Sequence, residues 1–168
     1  MTSLYPLRGQ CTCGQIKYQL NCPPLVVHCC HCSWCRRETG SAFAINAMIE
    51  ADQVQLLSGE PVLINTPSNS GKGQQIARCP KCHVAVWSHY AGSGPLTKFV
   101  RVGTLLQASE LPPDVHIFTA DKLPWMQLPA DVPAFEIYYD REQVWRDASL
   151  QRWQRLQPQI SAWRATQK

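Results

Sequence analysis

The 168-residue sequence has no apolar run approaching the roughly 20 residues that a membrane helix requires, so no membrane span is expected. Its first residues, MTSLYPLRGQC, lack a basic start, an apolar stretch and a small-residue cleavage site. That argues against a secretory signal and makes the cytoplasm the expected compartment. No Lys/Arg cluster of five to eight lies behind the net charge of +4, so nucleic acid is a poor candidate partner, while a mild positive balance suits a small anionic one. There is no internal repeat beyond a recurring C-x-C. Charged residues make up only 17% of the chain against 45% hydrophobic, the balance of a globular domain, and at this length roughly 70% of the unfolded surface can be buried.

Cysteine, by contrast, is abundant: there are nine. An odd number, an adjacent pair at Cys29 and Cys30, and grouping into C-x-C and C-x-x-C favour metal over a disulfide framework, which remains the lesser alternative. The densest stretch is HCCHCSWCRRETGS, His28 to Ser41, where Cys30, Cys32 and Cys35 fall within six positions. On an extended segment a C-x-C pair points to one side, and the following x-x-C turns the chain so that a third sulfur converges. Three thiolates around one centre suit zinc. A structural zinc takes four protein ligands and a catalytic one three, so without a fourth ligand this is an open site.

Read in order, GQCTCGQIKYQL (Gly9 to Leu20) places Ile16, Tyr18 and Leu20 in alternation, a half-buried strand after a metal-binding knuckle. Pro23 and Pro24 turn the chain into a second strand at Leu25-Val26-Val27. Residues 42–51 offer Phe43, Ile45, Ala47 and Ile49 on one face, and residues 54–65 read as two short strands about Ser58-Gly59-Glu60-Pro61, all forming antiparallel hairpins. TPSNSGKGQQ, residues 66–75, lacks the full P-loop pattern and reads as a loop. Residues 76–87 carry Cys79-Pro-Lys-Cys82 and an apolar strand; no βαβ pattern accompanies it, so a zinc knuckle fits better than a redox pair. Residues 97–105 predict another strand, and the Pro-rich part 111–133 is mostly irregular with short strands. From Asp140, a possible N-cap, apolar residues recur at helical spacing, with Pro158 expected to kink or split the helix. The domain is therefore read as 1–139 and the helical extension as 140–168.

Setting the triplet aside leaves Cys11, Cys13, Cys79 and Cys82, two pairs able to close a tetrahedron as a structural site. Another sorting joins Cys32 and Cys35 to Cys79 and Cys82 but strands Cys11, Cys13 and Cys30. Arg36 and Arg37 follow the triplet directly. They either stabilise its thiolates and grip a substrate carboxylate or form a solvated pair. His31 should point away from its cysteine neighbours, towards an outer shell or the surface. Cys22 and Cys29 read as small buried hydrophobes, His89 and His116 as structural histidines, and the tryptophans beyond 140 as a stripe packed on the domain or on a second copy in a homodimer.

G-x-C-x-C-G-x-I-x-Y at Gly9 to Tyr18, C-H-C-x-x-C-R-R-x-T-G-S-A-F at Cys30 to Phe43, the C-x-x-C at Cys79 and V-G-T-L at Val102 to Leu105 resemble the glutathione-dependent formaldehyde-activating enzyme family, which also contains centromere protein V. The resemblance runs from about Gly9 to about Pro133. It implies a mainly β, antiparallel fold of the β-tent type and two Zn2+ sites. One is structural at Cys11, Cys13, Cys79 and Cys82; the other is catalytic at Cys30, Cys32 and Cys35. It implies a carbon-sulfur lyase whose partner is a small thiol such as glutathione, acting on S-hydroxymethylglutathione formed from glutathione and formaldehyde. The alternative is a non-catalytic zinc-stapled binding module or glutathione carrier. The chain departs from the family at His83, where glycine is frequent, and at Leu106, where aspartate is frequent.

Overall fold

The structure is a computed structural model that describes residues 4–167. In chain order its strands are β1 (Leu7–Gln10), β2 (Lys17–Leu20), β3 (Val26–Cys30), β4 (Ala44–Glu50), β5 (Val54–Ser58), β6 (Val62–Thr66), β7 (Gln74–Arg78), β8 (Ala85–Tyr90), β9 (Thr97–Arg101) and β10 (Val115–Ile117). Helix α1 (Ser33–Thr39) follows β3, and α2 (Asp147–Ala165) closes the chain. A three-stranded sheet runs β1-β2-β5 and a seven-stranded sheet runs β10-β3-β4-β9-β8-β7-β6. The fold is mainly β, as the sequence predicts, and every strand pair is antiparallel except β10 with β3.

Period-two alternation sends the residues of β3 and β4 to two separate cores. Val27, Ala47 and Ile49 join Tyr18 and Leu20 of the small sheet and Trp87 and Val100 of the large one. Tyr18 meets Trp87 edge to face at 5.5 Å, a favoured geometry for two aromatic rings. Val26, Cys30 and Met48 belong to the other core, with Val115, Trp145 and the α2 residues Trp153, Leu156 and Ile160. Helix α2 therefore packs into the core that contains the cysteine triplet.

Three local expectations are corrected. β5 and β6 do not form a hairpin with each other, because β5 pairs with β2 and β6 with β7. Between them Gly59 adopts φ +69°, and a Cβ there would lie 2.4 Å from the Gln15 carbonyl oxygen, so the chain passes from one sheet to the other through a contact only glycine permits. The last helix starts at Asp147 rather than Asp140, since residues 141–143 form a separate 3-10 turn. Pro158 lies inside α2 without splitting it. It is exposed, as is Gln154, so the carbonyl left without a donor faces water. Phe118 and His83 are the non-glycine residues with positive φ among those described, and His83 at φ 60° occupies the left-handed region that favours glycine.

Candidate metal centre and its cavity

Two knuckles from different sheets bring the four-cysteine set together. The β1–β2 connection carries Cys11 and Cys13, and the β7–β8 connection carries Cys79 and Cys82; their sulfurs all lie within 4.8 Å of one another. Cys11 and Cys13 stand 3.5 Å apart and Cys13 and Cys79 3.6 Å apart, close to the roughly 3.8 Å edge of a tetrahedron with 2.3 Å zinc-sulfur bonds. Each knuckle is shaped by its own backbone. The Ile16 amide donates to Cys11 Sγ at 3.3 Å, and the Cys79 and His83 amides close the second turn on the Val84 and Cys79 carbonyls. The Val84 amide, first among several donors, draws the Cys82 thiol down to about 6. Against the Gln15 amide, burial and the neighbouring thiols push Cys13 up to about 11, so four thiolates need a cation to hold them.

The triplet is built by a strand running into a helix. Cys30 ends β3, Cys32 is the N-cap of α1, and its sulfur accepts the Cys35 amide at 3.3 Å, which turns the third sulfur back onto the first two. Gly40, in the left-handed conformation, caps α1, and Thr39 Oγ1 donates to the Cys35 carbonyl. An ion pair between Glu38 and Arg78 ties α1 to β7. All three cysteines are buried, and among the described residues no fourth Cys, His, Asp or Glu completes the group. Hydrogen bonds from Cys30 and Cys35 hold the Cys32 thiol far down, while hydrogen bonding with Cys32 pushes Cys30 up. Alone, three crowded thiols share about one negative charge, and a cation is needed to hold three thiolates.

A positive charge is already in place. Arg101, at the end of β9 and 7% exposed, donates from Nη1 to Asn46 Oδ1 and from Nη2 to Ser88 Oγ at 3.2 Å, both neutral partners, while its Nε is buried without one. Hydrogen bonding with Cys30 and the Arg101 charge both favour the Cys35 thiolate, but hydrogen bonding with Cys32 and burial outweigh them and push that thiol up to about 11. A buried guanidinium with only neutral hydrogen-bond partners demands a nearby anion. Three thiolates and one divalent ion, with net charge −1, meet that demand, so the donor set and its surroundings fit zinc.

The triplet opens into a cavity of about 370 Å³ whose walls include His28, Asn46, Phe99 and Tyr138, with Ser68, Asn69, Ser70 and Lys72 from the loop after β6. A larger hollow of about 990 Å³ shares that loop as a wall and has no cysteine in its lining. His28 lies on the same side of β3 as Cys30, and its Nε2 is 2.7 Å from the Tyr139 hydroxyl. Trp145 Nε1, which can only donate, bonds the same hydroxyl at 2.8 Å, and a Tyr139 proton directed at His28 Nε2 places the ring's own proton on Nδ1. Burial, with Arg141 adding to it, lowers the His28 pKa to about 3 and keeps the ring neutral.

The model of the glutathione-dependent formaldehyde-activating enzyme family matches residues 6–121. The chain belongs to that family. No curated protein matches. A crystal structure of a Rhodobacter sphaeroides protein aligns over 76% of this chain and 99% of its own, with 19% identity and a TM-score of 0.46.

The cysteines that the family resemblance divides into two sets are gathered in space as those two sets, and the sorting that joined Cys32 and Cys35 to Cys79 and Cys82 does not form. Arg37 is exposed, Arg36 is half-buried on α1, and neither lines the cavity. His31 does point away from Cys30 and Cys32 but is fully buried rather than at the surface, 2.9 Å from His116. Cys22 receives the Arg152 guanidinium at 3.2 Å, and His89 bonds the Thr97 carbonyl at 2.8 Å. Sequence reasoning missed His28, Arg101 and the Tyr139–Trp145 pair. Only His28 left a local signal, standing two residues before Cys30 on an extended segment.

Proposed function

We propose that the chain is a zinc-dependent carbon-sulfur lyase acting on a thiol adduct such as S-hydroxymethylglutathione. The observation that carries this reading is a three-cysteine centre, without a fourth protein donor among the described residues, opening into a cavity of small-ligand size. A zinc held by Cys30, Cys32 and Cys35 would supply a Lewis-acid centre that favours the thiolate form of a substrate sulfur. The set of Cys11, Cys13, Cys79 and Cys82 is assigned the structural zinc.

Adduct formation joins the thiol sulfur to the aldehyde carbon, and the proton lost by the thiol ends on the former carbonyl oxygen. Cleavage returns that proton, breaks the carbon-sulfur bond and releases thiol and aldehyde. His28 is assigned to that oxygen. A neutral imidazole that keeps its N–H polarises a carbonyl as a hydrogen-bond donor without bringing a second positive charge beside Arg101. Arg101 balances the anionic centre. Lys72 on the cavity wall is the proposed contact for a substrate carboxylate, and Arg36 and Arg37 on α1, outside the lining, are assigned only to a part of the ligand that extends beyond the cavity.

Calorimetric titration of the zinc-loaded protein tests the reading. Glutathione is expected to bind at least tenfold more tightly than S-methylglutathione, and increasingly so as pH rises towards the free thiol's pKa of about 8.5. Equal affinity for the two would overturn it. His28→Phe is expected to lower kcat about 100-fold, the usual cost of one lost donor at a developing oxyanion, with His28→Asn retaining part of the activity.

A further inference from the structure

On the other face of β3 from the triplet, a second thiol meets two imidazoles. β10 runs parallel to β3 with His116 directly opposite Cys29, so both side chains leave the sheet on the same side. The His31 amide extends the same ladder by bonding the Ile117 carbonyl at 3.0 Å, which places His31 two positions along on Cys29's side. Strand register therefore converges Cys29, His31 and His116, with one ligand atom from each lying within 4.8 Å of the others. Cys29 Sγ is 3.6 Å and His116 Nδ1 2.9 Å from His31 Nε2, and all three residues are buried. The other nitrogen of His31, Nδ1, is buried without a hydrogen-bond partner. Three polar groups sealed in the core with little but one another to bond are poorly accounted for by ordinary packing.

We infer that Cys29, His31 and His116 form a third metal site, separate from the two cysteine centres and selective for a soft monovalent transition ion, of which cuprous copper is the test case. With metal-sulfur and metal-nitrogen bonds of about 2.3 and 2.0 Å, neighbouring ligand atoms stand roughly 3.3 to 3.8 Å apart. The sulfur-nitrogen separation already falls there, and the two nitrogens need to open by about half an ångström. Thiolate and imidazole together suit copper and zinc, so charge decides between them. One thiolate and two neutral imidazoles leave a monovalent ion with no net charge but a divalent ion with +1. Beside burial and the His116 ring, Lys122 and Arg36 bring positive charge to bear on His31, and a further buried positive charge beside them is costly. Binding exchanges the ion for the Cys29 thiol proton, which leaves to solvent; the proton between the two rings moves to an outer ring nitrogen, and no electron is transferred. This site does not depend on the lyase reading, since it lies across the strand from the cavity.

The test adds one equivalent of copper(I), anaerobically, to the zinc-loaded protein while zinc release and copper-edge X-ray absorption are followed. The expected result is a copper shell of one sulfur and two nitrogens with no zinc released. Cys29→Ala, checked for folding by its thermal melt, should weaken copper in competition with a chromogenic chelator by roughly 100-fold or more, beyond the 10- to 100-fold typical of outer-shell changes, and His116→Asn should do the same. A sulfur-only shell, zinc displaced by the first equivalent, or an unchanged shell in both variants would each overturn the inference. So would protein isolated with a third zinc that Cys29→Ala removes, because the site would then hold a divalent ion.

Discussion

Arg101 enters the core with a charge it cannot lose, and the consequence can be measured at a single side chain. Its fork holds Asn46 and Ser88 in place, and its charge bears on Cys35. Removing the guanidinium takes away the counter-charge of the triplet and leaves two buried polar groups short of a donor. Arg101→Met is therefore expected to lose about 3 kcal/mol of stability, the lower end for breaking a buried charged pair. It should also release metal from the triplet to a colorimetric chelator at least tenfold faster. Arg101→Lys should recover part of the retention, because it restores charge without the fork. Chelation as slow in the methionine variant as in the wild type would show that Arg101 does not balance an anionic centre. Neither Arg101 nor His28's partner was legible in the sequence. Asn46 and Arg101 meet across 55 residues and His28 and Tyr139 across 111, separations set by register rather than by local pattern.

At the scale of elements, what could be read was what repeats locally. C-x-C on an extended segment fixes a shared face at once, and the alternation through Tyr18 and Leu20 marks a strand whose inner side is fully buried. The β5–β6 turn misled because Ser-Gly-Glu-Pro describes a change of direction equally well whether the next strand folds back or crosses to the other sheet. Helix α2 was legible as a helix, but its role was not. Trp153, Leu156 and Ile160 complete the core around Cys30, Cys32 and Cys35. Fully burying each such side chain contributes about 1.5 to 3 kcal/mol, so together they approach the 5 to 15 kcal/mol of a whole domain's stability. Truncation before Asp140 is accordingly expected to yield protein that melts far lower and gives up one of its metals. Ile160→Ala is the gentler probe, with an expected cost of 2 to 5 kcal/mol in denaturant unfolding. A truncated chain with an unchanged melting temperature would establish residues 140–168 as a separable extension.

Across the whole molecule the four-cysteine set is the only metal-ligand group among those described that joins the two sheets, whereas the triplet sits within one strand-helix unit. Structural zinc sites contribute on the order of 10 to 16 kcal/mol in zinc-finger peptides, comparable with or above the stability of a domain. Cys79→Ser is therefore expected to prevent folding or to aggregate. Cys35→Ser should stay folded, losing one metal and the affinity for thiols; equal loss of both metals in the two variants would undo the division of roles. Acid should act on the fold as a whole, and His89 allows that effect to be isolated away from the metal ligands. Burial lowers its pKa, and its Nδ1–H donates to the Thr97 carbonyl at 2.8 Å. Below the unfolded value of about 6.5 the unfolded chain takes up a proton that the folded chain refuses, so stability present above pH 6.5 is lost as pH falls towards the lowered native pKa. One such group changes stability by at most about 1.4 kcal/mol per pH unit. His89→Asn keeps an amide donor for Thr97 but cannot titrate. Its unfolding free energy between pH 6.5 and 5.5 should fall less steeply than that of the wild type, and identical slopes would show that His89 is not among the groups through which acid destabilises the fold.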